Sequence, residues 1–237
     1  MKRMFGLECV VLGQYLRQLV LIGLVVVIIM AATTGSITEA MPAAMPMVFM
    51  MSVMSMSAYD DVNDWGAYRL ALPLSRRDVV LGRYVTVIAM FVGAILFSIA
   101  VIGVAWALGQ AGILPPAITA YVKVDANSLR MLLIAGAAVV AIGSVLPAVA
   151  LPCYFKFGST KATQYIPVVV MLSVAALVYL MNYLSKAGAL NGAEQVLLWL
   201  EAPANLAPAV LILAAVSLAI LAISAAVSLR IYAKRDL

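Results

Sequence analysis

The sequence predicts an all-α, polytopic membrane protein with six transmembrane helices. Both termini fall in the cytoplasm, and a short cytoplasmic amphipathic helix joins spans two and three. Three observations predict this fold. Hydrophobic residues make up 66% of the 237 residues and charged residues only 11%, where soluble domains run at roughly 45–50% and about 25%; mean hydropathy is +1.12. The apolar residues gather into continuous runs of membrane length, and about 20 residues cross a hydrocarbon core as a helix. Continuous rather than alternating runs favour helices over a closed barrel, the other structure that satisfies its backbone in lipid. Third, the basic residues collect on one side of those runs.

The first span is expected over residues 15–34. Its apolar run passes into Thr33, Thr34 and Gly35 without a small-x-small cleavage pattern, so it reads as an uncleaved span, not a signal peptide. The second, over 41–58, is dense in methionine. Met47, Met50 or Met51, and Met54 share one helical face; they are either ordinary apolar filler or an adaptable wall for varied apolar cargo, since thioethers are flexible and polarisable. The third span covers 84–108, the fourth 131–155, the fifth 162–184 and the sixth 205–229. Pro147 and Pro152 lie in the fourth, where interior proline kinks a helix, as a static bend or as a gating hinge. Gly136 and Gly143 in the same span allow close helix packing. The loop over 185–203, with Trp199, is expected to form a short outer helix at the interface. The outer loop over 110–127 is too small for a folded domain, and residues 1–237 read as a single membrane domain.

Of the fifteen lysines and arginines, only Lys123, Arg130 and Lys186 fall on the outer side; the other twelve are cytoplasmic. That bias sets the N-in, C-in orientation and points to the cytoplasmic membrane of a bacterium or its equivalent. The net charge of +5 sits at span ends, which argues against nucleic acid as a partner. Apart from Arg17 at the cytoplasmic edge of the first, no Asp, Glu, Lys or Arg lies inside a predicted span. A charge at mid-bilayer costs at least about 2.5–3.5 kcal/mol and is kept for function, so its absence lowers the case for proton- or ion-driven transport. The chain has no histidine, which removes His-based zinc sites and the HExxH protease motif. Cys9 and Cys153 both fall on the cytoplasmic side, where no disulfide is expected. No catalytic, metal-binding or cofactor-binding residue is expected in this chain.

One charged segment stands out, YDDVNDWGAYRLALPLSRRDVVLGRY over Tyr59–Tyr84. Asp60, Asp61 and Asp64 open a helical pattern over 60–72, where acids cap free N–H groups and face the positive end of the helix dipole. Val62, Trp65 and Leu72, flanked by Tyr68, give it one apolar face, with Arg69 beside that face. Pro73 stops the helix at Leu72. Ser75 then fits as the N-cap of the next helix, with Asp78 reaching back in a capping box. On the residues alone, the short helix is equally an interfacial anchor or a docking site for a partner.

The segment, placed between spans two and three, resembles the ABC-2 type permeases of ATP-binding-cassette transporters. The residues that carry the resemblance are the acidic run, Trp65 with Tyr68, and the stretch Leu72, Pro73, Ser75, Arg76, Arg77, Asp78, Val79, Val80, Arg83 and Tyr84. The resemblance implies that residues 60–72 form the coupling helix, with Asp60, Asp61, Asp64, Trp65, Tyr68, Arg69 and Leu72 docking into an ATPase subunit, followed by the turn and cap of Pro73, Ser75 and Asp78. It also implies a separate ATPase partner that binds ATP and Mg, a second permease copy or paralogue, and export. The chain has no GxxxxGK[ST] loop; the nearest string, Gly158-Ser159-Thr160-Lys161, has the wrong order. ATP chemistry therefore needs another polypeptide, and this chain is not expected to be an enzyme. Apolar peptides, amphipathic toxins and drugs fit as cargo. The rivals are a secondary transporter that works without an ATPase, an intramembrane enzyme, and a non-transporting assembly or immunity subunit.

Overall fold

A computed structural model of the protein describes residues 2–42, 44–46, 48, 75–113, 119, 121–122, 126–158, 179, 183, 199 and 202–233. These residues are helical apart from short turns, with no strand among them. Their long helices are α1 (Lys2–Thr34), α2 (Arg76–Gln110), α3 (Ala126–Gly143), α4 (Val145–Phe157) and α5 (Leu206–Ala233), the last preceded by a 3-10 turn at Pro203–Asn205. Among the described residues four stretches are long and apolar enough to cross a membrane: Leu16–Thr34, Arg76–Gln110, Leu132–Phe157 and Leu206–Ala233. They correspond to the first, third, fourth and sixth predicted spans. Residues 37–42 and 44–46 begin the second as helix; apart from Val48, Tyr179 and Tyr183, its remainder, the fifth span and the coupling segment before Ser75 lie outside the described residues.

The helix limits differ from the apolar runs in three places, each with a physical cause. First, α1 starts at Lys2, not near residue 15. Its 33 residues reach about 50 Å, more than a hydrocarbon core of about 30 Å needs, so its first turns project beyond the apolar layer. Second, α2 starts at Arg76, about two turns ahead of the apolar run from Tyr84 and at the N-cap expected of Ser75. Third, the fourth span is two helices that meet at Ser144. Pro147 explains the position of that break. A proline removes the bond to the carbonyl four residues earlier and its ring presses on that carbonyl; here that carbonyl belongs to Gly143, the last residue of α3. The chain re-enters helix at once, with Ala148 N donating to Ser144 O at 3.1 Å.

Contacts fix the directions of the helices. Along α1 and α2, Met4 meets Gly82 and Glu8 meets Arg83, so both chains advance together and the helices are parallel. Between α2 and α5 the order reverses: Arg76 reaches Tyr232, and Tyr84 reaches Ser224. In contrast, α4 and α5 run the same way, pairing Ala148 with Ser224 and Phe155 with Tyr232. The buried core joins α1, the start of the second span and α2 through Val27, Ala31, Met41, Met45, Val87 and Phe91. A Cβ on Gly136 would lie 3.6 Å from Pro42, an ordinary contact and not a tight one. Facing outward are Ile28, Ile142 and Ile223, at 68%, 75% and 67% exposure. In water that surface would drive aggregation; against lipid tails it is the expected coat.

Candidate functional site

The charged segment leads into α2, and the geometry of that entry is well defined. Ser75 sits in extended backbone as the N-cap, and its Oγ accepts from Asp78 N at 3.1 Å. The same hydroxyl donates to Asp78 Oδ2 at 2.7 Å. Two groups thus close one turn, and the Asp78 carboxylate faces the positive end of the helix dipole. Asp60, Asp61, Asp64, Trp65, Tyr68, Arg69, Leu72 and Pro73 lie outside the described residues, as do Met47, Met50, Met51 and Met54. The neighbouring Met41 and Met45 are fully buried core side chains.

Two turns into α2, Arg83 meets a partner that no sequence signal marked. Its Nε lies 3.1 Å from Glu8 Oε1, with side chains 4% and 0% exposed. That oxygen has no aligned donor, so the contact is Coulombic and not a directed hydrogen bond. The other carboxylate oxygen, Oε2, accepts from Thr86 Oγ1. One turn before Glu8, Met4 covers Gly82 so closely that a Cβ there would come within 2.5 Å of Met4 Cγ. The first turns of α1 therefore lie clamped against α2 by an ion pair, a hydroxyl and a missing side chain. A buried pair of this kind adds little net stability when whole, yet losing one partner strands a charge and costs about 3–5 kcal/mol.

On the opposite side of α2, Tyr84 enters a chain of hydroxyls. Its OH lies 2.6 Å from Ser224 Oγ and 2.9 Å from Ser228 Oγ. Ser224 Oγ in turn donates to Ala148 O at 2.5 Å. A serine has one proton to give. Ser224 spends it on the carbonyl, so Tyr84 must donate to Ser224, and Ser228 to Tyr84. The acceptor at the end is set by Pro152, which lies within α4 and has no N–H to offer the carbonyl four residues earlier. Ala148 O is that carbonyl. The relay from Ser228 through Tyr84 and Ser224 thus satisfies the backbone group that the proline leaves unpaired in an apolar layer.

A third tie runs from Arg76, whose Nη1 donates to Tyr232 O at 3.3 Å and Ala233 O at 3.2 Å. A cation on the last carbonyls of α5 meets the negative end of its dipole. Beside it, Phe155 and Tyr232 pack edge to face with centroids 5.3 Å apart. Within three turns, then, α2 is joined to α1, to α5 and, through α5, to the proline bend of α4. Farther along α2 is an apolar cavity of about 160 Å³ lined by Pro42, Ile95, Leu132, Gly136 and Val210. Its one hydroxyl, Ser98, already donates to Ala94 O at 2.8 Å. Among the described residues no three His, Cys, Asp or Glu side chains converge as a metal site.

The family follows from the whole length of the chain. A family model described as ABC-2 family transporter protein matches residues 8–233. This chain belongs to the ABC-2 transporter family. The match begins at Glu8 and ends at Ala233, so both anchors of the α1 and α5 ties described above lie inside it. Comparison with curated proteins and with solved structures gives no match. The ABC-2 chain is a transporter membrane protein: its family and the four apolar helices among the described residues agree.

Proposed function

We propose that this chain is the permease subunit of an ABC-2 transporter, driven by a separate ATPase subunit that docks on residues 60–72. The observation that carries the reading is the wiring of α2 immediately after that segment. Ser75 starts α2 with a firm cap, and Arg76, Arg83 and Tyr84 then tie it to α1 and α5 and, through Ser224 of α5, to α4. A push on the segment would reach α1 through Glu8, α5 through Ser224 and Ser228, and α4 through the Ala148 carbonyl. Trp65 and Tyr68 are the anchors in the ATPase groove and Arg69 the ionic contact. The cofactors of the machine, ATP and Mg, belong to that partner.

The directions of the described helices support six spans with both ends on one side of the membrane, the side that the lysine and arginine bias makes cytoplasmic. Since α1 and α2 are parallel, the chain must recross the membrane between them; since α4 and α5 are parallel, it must do so again. Two permeases, copies or paralogues, complete the path. The cargo is apolar or amphipathic, such as a peptide or drug, and moves outward. The apolar cavity beside Pro42 and the uncharged spans support such a cargo, with Met47, Met50, Met51 and Met54 as its adaptable wall and Pro147 and Pro152 as the hinge.

The test is co-expression with the candidate ATPase. Trp65→Ala should abolish co-purification of the ATPase and cargo-stimulated ATP hydrolysis while the permease still folds. Undiminished association of the Trp65→Ala protein, or transport that persists without any ATPase, would count decisively against the proposal.

A further inference from the structure

A groove of about 400 Å³ opens where the start of α2 meets the end of α5. It is lined by Arg76, Arg77 and Arg230 together with Tyr232, Leu81 and Leu229. No carboxylate lines it among the described residues. Arg76 is committed to the carbonyls of Tyr232 and Ala233, while Arg77 and Arg230 are exposed.

We infer that this groove binds the headgroup of an anionic phospholipid, supplied by the cytoplasmic leaflet in the orientation proposed above. Three guanidinium groups around one opening concentrate positive potential, and guanidinium matches phosphate oxygens in a two-pronged geometry. The groove is at headgroup depth, since Arg76 opens a helix whose one charged side chain after Asp78 is Arg83, paired with buried Glu8. A soluble anion would use only the arginines. A phospholipid also uses the apolar lining, laying an acyl chain along Leu81 and Leu229 while Tyr232 holds the interface. Basic pockets between transmembrane helices on the cytoplasmic side hold anionic headgroups by this combination, with each basic side chain near the surface worth about a five-fold change in binding.

The inference stands apart from ATPase docking, so its test uses the purified full-length chain. Native mass spectrometry in detergent would follow titration with dioleoyl phosphatidylglycerol and, separately, dioleoyl phosphatidylcholine. The wild type should retain the anionic lipid in preference to the zwitterionic one. Arg77→Gln with Arg230→Gln should lower phosphatidylglycerol binding on the order of ten- to thirty-fold and leave phosphatidylcholine unchanged. The charge-preserving pair Arg77→Lys with Arg230→Lys should keep most of the binding, which separates lost charge from lost fold. Equal retention of both lipids by the wild type, or full retention of phosphatidylglycerol by the Gln pair, would overturn the inference. So would displacement of the lipid by 50 mM inorganic phosphate, which would make the ligand a free anion. If the Gln pair loses ATPase association and keeps its lipid, the groove belongs to an acidic protein surface and the inference is wrong.

Discussion

Glu8→Ala or Arg83→Ala should destabilise the protein by about 3–5 kcal/mol, because each leaves a charge buried without its counterpart. Replacing both together, Glu8→Leu with Arg83→Met, should recover most of that loss, since the pair itself contributes little. Melting in detergent reads both outcomes, and equal damage from single and double variants would rule out the pair as described. The hydroxyl relay gives a second residue-level prediction. Ser224→Ala leaves the Ala148 carbonyl without a donor in an apolar layer and should cost about 1–3 kcal/mol. In a Pro152→Ala background the restored backbone N–H can reach that carbonyl, so Ser224→Ala should then cost much less. Additive losses in this double-mutant cycle would show that Pro152 does not set the acceptor. Burial, and after it the neighbouring Glu8 carboxylate, push the Cys9 thiol above its ordinary range. Maleimide reacts with thiolate, so labelling of Cys9 in a Cys153→Ser variant should be slow at neutral pH and rise as the pH is raised.

At the scale of elements, the sequence and the structure agree where one helix carries its own signals. The apolar runs locate α2, α5 and the fourth span, and Ser75 with Asp78 marks the start of α2 because a cap is local chemistry. Agreement ends where the cause lies in a partner. The early start of α1 is hidden, since Lys2 to Tyr15 mixes charge and apolar residues and is helical against α2. Glu8 carries no local mark of its role, because its partners Arg83 and Thr86 are far along the chain. The prolines were visible as a bend, yet the interruption sits at Ser144, where the ring of Pro147 acts through the carbonyl of Gly143. Residues 60–72 and Met47, Met50, Met51 and Met54 lie outside the described residues, so the coupling helix and the methionine face expected there are sequence readings. Ser75→Ala should cost about 0.5–2 kcal/mol as a lost cap and, in the proposed machine, loosen the link from ATPase to α2. Reduced cargo-stimulated hydrolysis with retained ATPase association is the expected signature; unchanged stimulation would separate the cap from coupling.

At the scale of the whole molecule, the orientation can be tested without a partner. A membrane-impermeant maleimide should reach Cys9 in inside-out vesicles and not in right-side-out ones; the reverse pattern would invert the proposed arrangement. The relay has a consequence at this scale too. Its members are three hydroxyl groups and a carbonyl, and none carries net charge. One elementary charge moved across the membrane is worth about 2.3 kcal/mol per 100 mV, so a rearrangement confined to these neutral dipoles gains almost nothing from the resting potential. A shift of the relay alone would be electrically silent, neither eased nor hindered by depolarising the membrane.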